Sequence, residues 1–153
     1  SQQVIEHIPD KSYLNYIKDE FRTLSQNGII YHQIPHRLTP FEAHSKSWLI
    51  HWFPEGIAEK LYRIFSIDVE NTKKMLFLRW PNIIKNDFTN VFGHVNIVTH
   101  NRLKNYINNG EFSKTTALIR KTICFLVKIP LLGFLFASII SPFFMLELVA
   151  KKK

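Results

Sequence analysis

Val4-Ile5-Glu6-His7-Ile8-Pro9-Asp10 places a strand end, a break and a helix start side by side. Val4-Ile5 is the end of an apolar run that can close a buried strand, and Pro9-Asp10 breaks it, because proline has no amide to give a ladder. Asp10 or Ser12 is expected to cap a following helix, since a side-chain oxygen there can accept from the free amides of the first turn. Leu14, Ile17, Phe21 and Leu24 recur at helical spacing and predict one apolar face. Asn27-Gly28 ends that helix, with the glycine expected in the left-handed conformation. Ile29 to Ile34 then predicts a strand buried on both faces, as in a parallel sheet, stopped by Pro35.

Outward from this unit, residues 36 to 56 read as a loop rich in histidine, proline and aromatics. Residues 57 to about 80 are expected to be helical in part, with Ile57, Leu61 and Ile64 on one side. Asn101 to Asn109 predicts a short helix that turns Leu103, Tyr106 and Ile107 inward, and Thr115 to Ile119 a strand. Residues 121 to 141 are strongly apolar, and Pro142 separates them from a last strand over Phe143 to Ala150. Alternation of strands and helices argues for an α/β sheet. The glycine-rich turn that opens a doubly wound sheet is missing: the glycines stand at 28, 56, 93, 110 and 133, too far apart to form one.

Composition narrows the class. With 46% hydrophobic and 21% charged residues the chain is expected to fold rather than stay disordered. Cys124 is the only cysteine, which excludes an internal disulfide framework and a thiolate zinc site. The net charge of +8 favours acidic partners. The basic residues are nevertheless scattered, the only run being Lys151 to Lys153, and no zinc finger or RNA-recognition signature is present, so nucleic acid is not an expected partner. No secretory leader is recognisable. A start at Ser1, almost at once in a structured motif, is read as a sequence cut at its front.

The segments together resemble the small-molecule class I S-adenosylmethionine-dependent methyltransferases of the ubiquinone-methyltransferase-like group. Val4 to Asp10 is similar to that family's "V-L-E-H-I-x-D" stretch, which closes the fourth strand. Arg22 to Gly28 is similar to its "R-V-L-K-P-G-G" helix end, with Gln26 in place of proline and Asn27 in place of the first glycine. Ile34-Pro35-His36-Arg37 is similar to its "T-P-N-R". Thr99, Leu103, Ile107, Gly110 and Phe112 resemble its "T-x-x-x-L-x-x-L-L-x-x-x-G-F", shifted by Glu111. Pro142 to Lys152 resembles the closing "P-x-x-x-x-V-A-R-K".

The resemblance implies the C-terminal half of a Rossmann-like methyltransferase sheet, strands four to seven, with a helical and loop insertion after strand five. Residues 1–35 would hold the end of strand four, a helix and strand five; 36–98 the insertion or lid; 99–153 a helix, strand six, an apolar helix and strand seven. Strands one to three, the glycine-rich loop and the acidic residue that holds the cofactor ribose would precede Ser1. The implied activity is methyl transfer from S-adenosylmethionine to a small-molecule or lipid-like acceptor, here in a partial domain whose isolated chain is expected to be inactive. Two other readings stay open: a non-catalytic membrane-associated protein, and a pseudo-enzyme subunit that needs a cofactor-binding partner.

Methyl transfer is an in-line displacement at a sulfonium carbon, and it needs a held nucleophile and sometimes a base. Histidine titrates near neutrality and suits that base, which singles out His44 and His51. The resemblance sets Ser1, Gln2 and Gln3 against the methionine part of the cofactor; a frayed terminus is the plainer reading. His7 either faces the acceptor or is structural. His36, Arg37, Glu42, Trp48 and Trp52 are expected to line the acceptor side of a lid, the alternative being that the aromatic rings bury against the sheet. His32, His36, His44 and His51 crowd one region, but without ligand-like spacing, so no metal is expected.

The uncharged run Ile129 to Leu146 borders the length of a membrane span. Its place between the implied sixth and seventh strands argues for a covered crossover helix, while its apolar character leaves a membrane-surface contact through residues 121–146 open. The expected location is cytoplasmic, peripheral at a membrane if that contact is made.

Overall fold

A computed structural model describes residues 1–100, Phe125, Leu135 and 138–152. The first helix, α1, runs Asp10–Thr23. Proline at position 9 supplies a fixed φ at its entry, and neither Asp10 nor Ser12 caps the first turn as expected. Asp10 is instead drawn to Arg79, whose Nη2 lies 2.6 Å from its carboxylate. The buried face is also rotated from the expected one. Tyr13 and Ile17 are buried, with Tyr16, Phe21 and Leu24 beside them, whereas Leu14 faces solvent. The helix ends at Thr23, and it is Asn27, at φ 63°, that turns left-handed. Gly28 is required for another reason: a Cβ there would sit 2.8 Å from the Ser25 carbonyl oxygen.

Strand β1 (Ile29–Ile34) follows. Its burial alternates instead of being two-sided, because its flank is an antiparallel ladder: His32 and Ile34 are buried and Ile29 is exposed. Two further strands complete the sheet, β4 (Val95–Ile97) and β5 (Leu146–Lys151), in the order β1-β5-β4. β5 is antiparallel to both neighbours, with His32 opposite Leu148 and Val95 opposite Ala150, so β1 and β4 point the same way. On the other side of β1, Gln2 bridges Gln33 in the parallel sense. The segment before α1, α1 itself and β1 thus form a parallel crossover unit. The fold is mixed α/β around a small sheet that is antiparallel through β5.

Helix α4 (Pro81–Phe92) covers the sheet with α1. Pro81 stands in its first turn, where a missing amide costs nothing, and Gly93 at φ 79° ends it. Ile84, Phe88 and Phe92, four residues apart, face inward to meet Ile17, Ile34, Leu146, Leu148 and Ala150. Phe88 is fully buried, and truncating it to alanine would cost about 3–5 kcal/mol. Both α4 and β4 lie inside the span 36–98 expected to be an insertion, and their buried residues belong to the main core.

Residues 36–56 are not a plain loop. Phe41–Glu42 (β2) and Ser47–Trp48 (β3) form a two-stranded ladder, followed by a 3-10 turn at Ile50–Trp52. Helices α2 (Glu55–Ile64) and α3 (Val69–Met75) come next, the second capped by Asp68, which accepts from the Asn71 amide. Ile50, Ala58 and Tyr62, with Leu61, Ile67 and Val69, make a satellite core. Of the three residues expected inward on α2, only Leu61 packs there; Ile57 and Ile64 are exposed.

The expected last strand begins later than Phe143: a 3-10 turn occupies Ser141–Phe143 and the ladder starts at Leu146. The predicted helix at 101–109, the strand at 115–119 and most of the apolar stretch 121–141 lie outside the described residues. Among the described residues no helix is long and apolar enough to cross a membrane.

Candidate functional site: carboxylate and imidazoles at one edge of the sheet

The parallel segments set the position of the site. Gln2, β1 and β4 run in one direction, so the chain leaves them at a common edge, which is also where β5 enters. Ligands of open α/β sheets bind outside such carboxyl ends. Glu6 and His7, then Pro35 to Arg37, emerge there, and Phe144 and Met145 meet them from the start of β5.

Residues 75–79 strap the Ile5–Asp10 turn. The Phe77 amide donates to the Glu6 carbonyl oxygen at 2.6 Å. Arg79 donates to the carbonyl oxygens of Ile5 (3.2 Å) and Ile8 (2.7 Å), and its guanidinium stacks 3.8 Å from the Tyr13 ring centre. His7 Nδ1 donates to the Met75 carbonyl oxygen at 2.6 Å, and its Nε2 lies 3.8 Å from Glu6 Oε1. The Glu6 side chain is completely shielded from solvent, and neither oxygen has a hydrogen-bond donor. Burial pushes its pKa above the usual carboxylate range. His44 approaches from the β2–β3 turn, its ring 4.7 Å from that of His7 and nearly perpendicular to it. The metal-ligating atoms of Glu6, His7 and His44 all lie within 4.8 Å of one another.

The expected site residues divide into distinct groups. Glu42 is buried beside the smaller of two cavities, and its carboxylate accepts the backbone amides of His44 (2.8 Å) and Ser45, fixing the turn that carries His44. His36 departs from expectation. It is fully buried, Nε2 donates to the Phe144 carbonyl oxygen at 2.7 Å and Nδ1 accepts the Leu38 amide at 3.1 Å. Both ring nitrogens are taken, and burial, with His51 nearby, lowers its pKa to about 4 despite the carbonyl contact. His51 keeps one nitrogen unused: Nε2 donates to the Thr39 carbonyl oxygen at 2.8 Å, while buried Nδ1 has no partner. Burial lowers its pKa too.

Arg37 stacks on Trp80 at 5.5 Å and makes no ion pair among the described residues. With His51, Tyr62, Leu76 and Arg79 it lines a cavity of about 470 Å³ between the strap and α2. A second cavity of only about 20 Å³, room for a water molecule, lies among Gln3, His36, His44, His51 and Met145. His51 borders both.

Trp48 and Trp52 do not bury against the sheet: both are exposed, the first packing on Phe41 and the second stacking on Phe143. Of the three residues expected at the cofactor, Gln3 alone reaches the smaller cavity. Ser1 turns toward His32 Nδ1 (2.7 Å), whose other nitrogen meets Glu20 at 2.9 Å, and Gln2 serves the bridge to Gln33. Glu6 and Arg79 were missed as site residues. The Glu6-His7 adjacency was visible in the chain, whereas nothing local announces that residue 79 folds back over residues 5 to 10. No known protein family, no curated protein and no solved structure matches this chain.

Proposed function

We propose that these residues form the acceptor side of an S-adenosylmethionine-dependent methyltransferase domain, its strands four to seven, acting on a small-molecule or lipid-like acceptor. The observation that carries this reading is the sheet. Four segments in chain order, at Gln2, β1, β4 and β5, match the number the resemblance implies, and α1 makes a parallel crossover between the first two. β4 then takes the place of strand six, ahead of the Thr115 to Ile119 segment first considered for it.

In this reading the 470 Å³ cavity receives the acceptor, a volume within the range of small-molecule sites. Arg37, having no carboxylate partner among the described residues, suits an anionic or polar group on it. His51 is the better-placed base, because Thr39 holds one nitrogen and the other is an unpaired acceptor beside the cavity. His44 stands at the opening of the site.

The test is methyl transfer from radiolabelled S-adenosylmethionine by the chain produced in the full reading frame that encodes it. His51→Ala is expected to lower turnover by more than about threefold, roughly 0.65 kcal/mol in barrier. Absence of any cofactor binding by that product would remove the reading altogether. A normal rate in both His44→Ala and His51→Ala would leave the class standing and remove the base.

A further inference from the structure

The structure assigns a site for a divalent first-row transition cation to Glu6, His7 and His44. This stands apart from the methyl-transfer reading and does not need it.

An ionised carboxylate removed from water without donors is costly, and such groups are normally paired, hydrogen-bonded or bound to metal. Glu6 is shielded on all sides, and among the described residues no hydroxyl or guanidinium donates to either oxygen; its own backbone amide is the one N–H that favours the charge, outside ordinary hydrogen-bond geometry. Arg79, the nearest strong cation in the strap, spends its nitrogens on Ile5, Phe77, Ile8 and Asp10. What faces Glu6 is His7 Nε2, at 3.8 Å, too far to hydrogen-bond. That separation suits two ligands of one ion: bonds of about 2.1 Å at a tetrahedral angle put ligand atoms about 3.4 Å apart.

The second shell is in place as well. Metal-bound imidazoles usually donate their other N–H to a carbonyl or carboxylate, which fixes the tautomer. His7 does so to the Met75 carbonyl oxygen. His44 is positioned through its own backbone by the buried Glu42 carboxylate. His44 is exposed, so a cation held here keeps an open side toward solvent. Two imidazoles and one carboxylate with an open position suit Zn²⁺, Co²⁺, Mn²⁺ or Fe²⁺. Mg²⁺ and Ca²⁺ prefer oxygen donors and are disfavoured.

Titration of the metal-free 153-residue chain with Zn²⁺ and with Co²⁺, by calorimetry and for Co²⁺ by visible absorption, tests the assignment. Saturable binding of a single ion is expected, with visible bands of a low-coordinate Co²⁺ site and much weaker binding of Mg²⁺. His44→Ala and Glu6→Gln should each weaken binding by at least about tenfold, and His94→Ala, an exposed histidine on another part of the surface, should leave it unchanged. His44 is exposed, so that variant decides the matter even if Glu6→Gln folds poorly. No saturable binding of either ion would overturn the assignment. Binding undiminished in His44→Ala would overturn it equally.

Discussion

His36 Nε2 lies 2.7 Å from the carbonyl oxygen of Phe144 and ties the loop that leaves β1 to the segment that enters β5. Only an N–H can serve that carbonyl while Nδ1 accepts the Leu38 amide, so this contact set is made by the neutral ring.

Stability should therefore fall in mild acid. The His36 pKa is about 4 in the folded chain against 6.5 for the free group. Between those values the unfolded chain binds a proton that the folded one does not. Stability is full above pH 6.5 and declines as pH drops toward 4, by about 3 kcal/mol in total. His51, lowered in the same direction, adds to the slope. Urea midpoints across this range should fall for the wild type and fall less for His36→Gln. An identical slope in the variant would show that the proton goes elsewhere.

Glu6→Gln should raise the thermal midpoint of the metal-free chain at neutral pH, since it removes a shielded charge that has no donor. Added Zn²⁺ should then raise the midpoint of the wild type and not of the variant, because a cation that binds only the folded state stabilises it. Calorimetric scans of both chains with and without a chelator give the comparison.

Arg79→Met should destabilise by about 2–4 kcal/mol. It keeps the aliphatic stem over Tyr13 but abandons the Ile5 and Ile8 carbonyl oxygens and Asp10. Arg79→Lys, whose point charge cannot span two carbonyls, should recover less than half of the loss. Full recovery by lysine would mean that charge alone matters there.

Membrane contact has a second candidate besides residues 121–146. Phe41 and Trp48 pack together on the outside of the β2–β3 ladder, Leu49 and Phe53 are exposed nearby, and Lys46 stands in the turn. An aromatic tip with a cation, on a chain of net charge +8, suits an anionic lipid surface. The chain should pellet with anionic vesicles at low salt and be released by about 0.5 M salt, where screening is short-ranged. Trp48→Ala should reduce pelleting severalfold; retention at high salt would point to deeper insertion.

The parts of the fold with strong local periodicity were legible in the residues, as α1, β1 and β5 show. The direction α1 faces was not: Leu14 and Tyr13 are adjacent, and it is Tyr13 that turns inward, packed in the main core beneath Arg79 from far along the chain. β4 is three residues long with two of them exposed, too short for alternation to register. Ile84, Phe88 and Phe92 did carry a helical pattern between Pro81 and Gly93, but it sat in a span expected to be an insertion. Likewise His44 was visible as a reactive residue, while its meeting with Glu6 and His7 depends on the β2–β3 turn lying over the strand exit, a relation with no local signature.

The place of β5 also bears on how the polypeptide is made. β1 and β4 have left the ribosome well before residue 146 is added, yet among the described residues β4 pairs only with β5, and β1 has beyond the single Gln2 bridge only the β5 ladder. During that interval two strands wait with open edges, a known invitation to pair with other chains. Ile29 and Ile97, exposed even in the finished sheet, are the apolar positions most open to such encounters. Newly made chains should therefore depend on holdase chaperones until β5 has left the ribosome, and slowing synthesis between β4 and β5 should lower the soluble yield without changing the stability of the molecules that do fold.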